Sequence, residues 1–172
     1  MNTNNEVVTD EIAATSLADR GRKYLTFAMG STEFGIEILK VVEILKIIEI
    51  TDIPGWPPFA KGTINLRGRV IPVIDMQRKL NLVATESSDQ TCIIVVELEG
   101  SPIGIEVEAV NEVREVAEAD VTDPPNIHGT IASDFILGMA RSDGGTIVLL
   151  NLERILLGED MRDMSCSAQT VL

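Results

Sequence analysis

The feature that most constrains this chain is an internal repeat. Gly35-Ile36-Glu37-Ile38 falls on Gly104-Ile105-Glu106-Val107 at an offset of 69 residues. At that offset Val41 meets Val110, Glu43 meets Glu112, Ile44 meets Val113 and Ile47 meets Val116. Upstream, Tyr24 to Met29 lies over Ile93 to Leu98. Farther on, Val70-Ile71-Pro72-Val73-Ile74-Asp75 matches Thr146-Ile147-Val148-Leu149-Leu150-Asn151 at an offset of 76, so the second copy gains seven residues, in the region from Asp120 to Ser133. Self-similarity of this kind means one supersecondary unit used twice.

The unit reads as mainly β. Tyr24 to Met29 is strand-like, Gly30-Ser31-Thr32 is a turn, and Phe34 to Ile38 is the return strand. Ile38, Val41, Val42 and Leu45 also fit helical spacing, but Ile105, Val107, Val110, Val113 and Val116 of the second copy suit two strands joined by a bend. Each copy is therefore strand, turn, strand, bend, strand, loop, two more strands and a short helix. Asp75 is placed to cap a helix from Met76 to Leu80, and Asn151 one from Leu152 to Leu157 that Gly158 closes. Five short strands per copy favour small closed barrels, which remove most exposed edges. The expected architecture is two tandem five-stranded barrels, 21–85 and 86–158, with a flexible polar arm at 1–20 and a tail at 159–172.

Composition narrows the function. With aromatics at 3% of 172 residues, Val, Ile and Leu must fill the core. A net charge of −13 repels phosphate backbones and anionic lipid, so no nucleic-acid partner is expected. The longest uncharged apolar run, Cys92 to Val96, is far too short to span a bilayer. Residues 1–20 hold no basic segment followed by an apolar one, so a cytoplasmic chain with Cys92 and Cys166 reduced is expected. His128 is the only histidine and no thiolates are paired, so neither a metal nor another cofactor is expected. No phosphate-binding loop, dinucleotide fingerprint or nucleophile elbow is present; plentiful carboxylates leave a paired-acid enzyme open on composition alone.

A few residues stand out against that background. Gly62 and Gly68 read as turn glycines. Arg67 and Arg69, two apart, would share one side of a strand, with Glu43 a partner for Arg67. Cys92 and Ile93 are adjacent, so a regular strand cannot turn both inward, and one of them belongs to an exposed apolar surface. Trp56, in Pro54-Gly55-Trp56-Pro57-Pro58-Phe59, is placed to staple a loop over a barrel end.

The stretch Gly62-Thr63-Ile64-Asn65-Leu66-Arg67-Gly68-Arg69-Val70-Ile71-Pro72-Val73-Ile74-Asp75 resembles the signature of the CheW family. Phe34 to Ile44 resembles its other strong segment, and Gly104 to Val107, Leu137-Gly138-Met139 and Ile147 to Asn151 follow in order. The resemblance runs from Tyr24 to Leu157. It implies two SH3-like barrels packed together with strand exchange, so that the boundary near Glu86 need not be the spatial one. It implies a non-catalytic adaptor that couples chemoreceptors to the histidine kinase CheA in cytoplasmic arrays at the membrane; an adaptor of a related pathway, driving pili or another output, is the alternative. The partners would be the CheA regulatory domain and the helical-hairpin tip of the receptors, docking between the barrels. The receptor-groove positions would be Val41, Glu43, Gly62, Arg67, Cys92, Ile93 and Val113. A second kinase contact would involve Pro125, Asn126 and Ile127.

Overall fold

The computed structural model describes residues 22–46, 48–83, 88–123, 133–142 and 144–158. The arm, the tail, and the loop holding Pro125, Asn126, Ile127 and His128 lie outside the described residues. The first copy forms β1 (Arg22–Met29), β2 (Thr32–Glu37), a 3-10 turn (Ile38–Lys40), β3 (Val41–Lys46), β4 (Ala60–Leu66), β5 (Arg69–Asp75) and α1 (Met76–Lys79). The second forms β6 (Cys92–Leu98), β7 (Ser101–Val107), β8 (Ala109–Val116), a 3-10 turn (Glu118–Asp120), β9 (Val121–Thr122), a 3-10 turn (Ser133–Phe135), β10 (Ile136–Ser142), β11 (Gly145–Leu150) and α2 (Leu152–Leu156). The stretch that fits both periods is thus one 3-10 turn and then a strand. The helices are each one residue shorter than expected, and both caps form: Asp75 Oδ1 accepts from the Arg78 N–H at 3.3 Å, and Asn151 Oδ1 from the Arg154 N–H at 3.2 Å.

Neither sheet follows the 85/86 division of the chain. One runs β8-β1-β2-β11-β10-β9 and the other β3-β6-β7-β5-β4. Each copy gives its first hairpin to the other copy's barrel. The joints are two parallel pairings, β2 with β11 and β7 with β5, which place Gly35 opposite Leu149 and Gly104 opposite Val73. A Cβ on Gly35 would lie 3.1 Å from the Leu149 side chain, and one on Gly104 2.9 Å from that of Ile93. Gly35 is therefore crowded by its parallel partner, and Gly104 by β6 of its own hairpin.

Each sheet closes through its own chain. Beyond β3 the backbone reaches Thr51, which exchanges two 2.8 Å hydrogen bonds with Thr63 of β4. Beyond β8 it turns into β9, which pairs with β10. With β8 and β9 counted as one bent strand, each barrel has five. The expected fold class and strand exchange are what the chain adopts.

The largest core lies between the barrels. Leu25, Phe27 and Ile36 of one sheet meet Ile74, Ile94, Val96 and Ile105 of the other, sealed by Met76 and Leu80 around α1 and by Leu152, Ile155 and Leu156 of α2. Trp56 packs against this same core. Each barrel also has a smaller private core: Ile64, Ile71, Val73, Ile93 and Val95 in one, Tyr24, Val116, Ala140, Ile147 and Leu149 in the other. Because most apolar side chains serve the joint rather than one barrel, fragments 21–85 and 86–158 made separately should each lack a cooperative thermal transition by circular dichroism. A cooperative melt from either one would show that a half-chain folds alone.

Candidate partner-binding groove

The groove begins with two edge strands. β3 ends one sheet and β8 the other, and both carry branched apolar residues at repeat-equivalent positions. Antiparallel partners share a face of the sheet. Ile44 lies opposite Ile94, and Val113 opposite Leu25; both of those partners are buried in the shared core. Ile44 and Val113 thus point along the core-facing side, yet they remain 44% and 50% exposed. Val41 and Val110, half-buried, pack against the same core. The result is two equivalent apolar stripes, Val41 with Ile44 and Val110 with Val113, that border the joint between the barrels. Ile44 and Val110 were missed in the site read from sequence; the repeat was the available signal, since they align with Val113 and Val41.

Glu43 and Arg67 lock one edge of this groove. The guanidinium donates to both carboxylate oxygens, at 3.0 Å and 2.8 Å. That fork geometry suits a carboxylate. Glu43 is mostly covered and Arg67 is 74% exposed, and the bond to Glu43 holds the arginine charged by pushing its pKa further up. β3 and β4 are the two ends of the five-stranded sheet, so the pair clamps the barrel seam at one end, as Thr51 and Thr63 do at the other.

The placement of Arg67 differs from the strand expected. It occupies the two-residue turn between β4 and β5, with φ of 53° and with Gly68 at 84°. Positive φ at both central positions marks the tight turn that matches strand twist; Asn65 Oδ1 accepts from the Gly68 N–H at 3.1 Å and braces it. Arg67 and Arg69 therefore do not share a strand face. Glu99-Gly100 makes the same kind of turn in β6–β7, so the turn demands the glycine and leaves the preceding side chain open. Glu43 is what arginine serves there.

Gly62 and Ile93 also need correction. Gly62 is not in a turn but at a bulge in β4, with φ of 142°, and a Cβ there would sit 2.0 Å from the Thr51 carbonyl oxygen. The backbone that approaches it is the chain's own, at the barrel seam, and no room is left for a partner. Ile93 is fully buried in a private core. β6 runs between two cores, so Ile93 through Val96 are covered on both faces, and only Cys92 of the adjacent pair reaches the surface. Its thiol donates to the Gln90 carbonyl at 3.2 Å. Ile93 supports the groove from behind. Lys61, one residue from Gly62, is not a free surface charge either: it bonds the nearly buried Glu106 at 2.6 Å.

Comparison with known proteins fits this architecture. The family model described as the CheW-like domain matches residues 23–159. The chemotaxis protein CheW of Klebsiella aerogenes is 31% identical over 141 residues, covering 82% of this chain and 85% of that protein. The CheW of Rhizobium meliloti is 31% identical over 148 residues, covering 86% and 96%. The crystal structure of the scaffolding protein CheW from Thermoanaerobacter tengcongensis superposes with a TM-score of 0.75 at 34% identity, over 81% of this chain and 90% of that one. No helix among the described residues is long and apolar enough to cross a membrane.

The two glycines at the β4 bulge and the following turn should behave differently. Gly62→Ala meets a backbone carbonyl in a conformation that already disfavours a side chain, and should cost about 2–4 kcal/mol in urea unfolding. Gly68→Ala meets open space and should cost only about 1 kcal/mol. Equal losses would show that Thr51 does not press on Gly62.

Proposed function

Because this chain belongs to the CheW family of chemotaxis adaptors, we propose that its inter-barrel groove receives the helical-hairpin tip of a chemoreceptor and that its barrels bind the regulatory domain of the kinase CheA. It is a scaffold and not an enzyme, so its work is to hold partners in register. The observation that carries the receptor reading is the pair of half-exposed stripes around Ile44 and Val113. Exposed branched side chains continuous with a core are an incomplete interface, and an amphipathic helix lays its apolar face into such a groove. Val41, Ile44, Val110 and Val113 would supply the apolar contact, with Cys92 and the Glu43–Arg67 pair at its border. Gly62 and Ile93 would act by shaping the barrel. The assembly would sit in the cytoplasm, at the receptor arrays. The proposed second kinase contact through Pro125, Asn126 and Ile127 keeps its place in this reading.

Arg67 gives the direct test. It is largely exposed, so Arg67→Glu should keep its circular dichroism spectrum, cooperative melt and kinase binding. The reversed charge faces Glu43 and sets a carboxylate where a fork was. Cutting one member of a hydrogen-bonded charge pair at an interface should then weaken binding of a receptor-tip fragment by at least about thirtyfold. Lys61→Glu is no fair control, since it would set two carboxylates together at Glu106; Arg141→Glu, exposed on β10, changes the charge equally. Equal weakening by both, measured by calorimetry, would mean general electrostatics and no site at Arg67.

A further inference from the structure

Building on the hairpin-docking reading, we propose that the groove's apolar contacts are two-fold degenerate, and that Lys46 and Glu115 decide which way round the hairpin seats. The degeneracy follows from the repeat. Val41 pairs with Val96 and Val110 with Phe27; Ile44 pairs with Ile94 and Val113 with Leu25. Every one of these pairs maps onto the other at the offset of 69. The stripes are the same surface presented twice, on either side of one shared core. An antiparallel helical hairpin has a matching approximate two-fold axis across its helices. Turned through half a circle, it offers each helix to the other stripe and buries the same kind of apolar surface. Hydrophobic burial is non-directional and cannot choose between the two poses.

Charge breaks the tie. Two residues beyond Ile44 on the same strand face is Lys46; two beyond Val113 is Glu115. These positions are repeat-equivalent, both are exposed, and neither makes an ion pair among the described residues. Their cross-strand neighbours differ as well: Cys92 lies opposite Lys46, and Lys23 opposite Glu115. The β3 half therefore carries an unopposed cation in Lys46, its Arg67 being spent on Glu43. The β8 half carries a carboxylate with a lysine beside it, and its Arg114 is spent on Glu112 at 2.7 Å. A helix with carboxylates beside its apolar face is matched at β3. In the inverted pose those carboxylates meet Glu115, and Lys46 goes unmatched. Rim charges of this kind set orientation and partner choice more than affinity.

The half-exposed thiol of Cys92 marks the β3 half and can report the pose. With Cys166→Ser in place, the full chain is oxidised with two versions of a receptor-tip hairpin, each carrying one cysteine at matched height on one helix or the other. The wild-type pair of charges should favour disulfide formation with one version by about fivefold or more, and Lys46→Glu with Glu115→Lys should invert that preference. The neutral variants Lys46→Gln and Glu115→Gln, which place no new charge, should level it. Equal reaction with both versions in wild type, or a preference unmoved by the double exchange, would overturn the proposal. No binding of either hairpin by calorimetry would instead bring down the docking reading, and the orientation rule with it.

Discussion

Two parallel pairings, β2 with β11 and β7 with β5, hold this molecule together. At Gly35 a side chain would press on Leu149 of the parallel partner, and at Gly104 on Ile93 of the neighbouring β6. Parallel partners need a long crossover between them; the one from β2 to β11 runs through the opposite barrel, and the one from β5 to β7 runs through α1 and β6 of the same sheet. The consequence is reciprocal. β1 and β2 cannot leave their sheet without exposing a private core, and neither can β6 and β7. The shared core, larger than either private one, then fixes the barrels against each other. That fixity keeps the half-exposed stripes of two different sheets at the border of one shared core.

Polar groups show how far the two copies have diverged on a conserved frame. Glu37 and Glu106 are repeat-equivalent, and each needs a cation. Glu106 takes Lys61 from β4. Glu37 takes Arg22 at 3.0 Å, from the start of β1, and Lys40 reaches across to Glu153 of α2. The position equivalent to Lys61 is the half-exposed Leu137, so the second barrel had to recruit its cation elsewhere. Lys79 of α1 is another departure. Its ammonium lies 4.3 Å from the Phe59 ring centroid and 5.8 Å from that of Phe135, equivalent aromatics from the two barrels. A cation over aromatic faces is a favourable contact, and this one bridges the joint.

Much of the fold was legible because the repeat made two weak readings check each other. The second copy turned Ile38 to Leu45 from a possible helix into bend and strand, and the caps at Asp75 and Asn151 marked both helix starts. Strand exchange was not readable from the residues alone. Period-two patterns say which face is buried, not which neighbour supplies the core, and only the family resemblance pointed to it. The site was half legible. Glu43 and Arg67 do meet, and Cys92 does surface while Ile93 does not. Gly62 misled because a positive-φ glycine looks the same in a turn, in a groove or against its own chain. Ile44 does not stand out in the sequence, because an alternating edge strand looks like any other strand until its sheet order is known.

The claim on which the rest turns is that the partner hairpin seats on the joint between the barrels. Methyl NMR of isoleucine- and valine-labelled protein, titrated with a receptor-tip hairpin, tests it directly. Shifts are expected at Val41, Ile44, Val110 and Val113, with Ile71 and Val73 of the private core unmoved. Shifts confined to other exposed methyls, such as Val83, with those four residues silent, would contradict it.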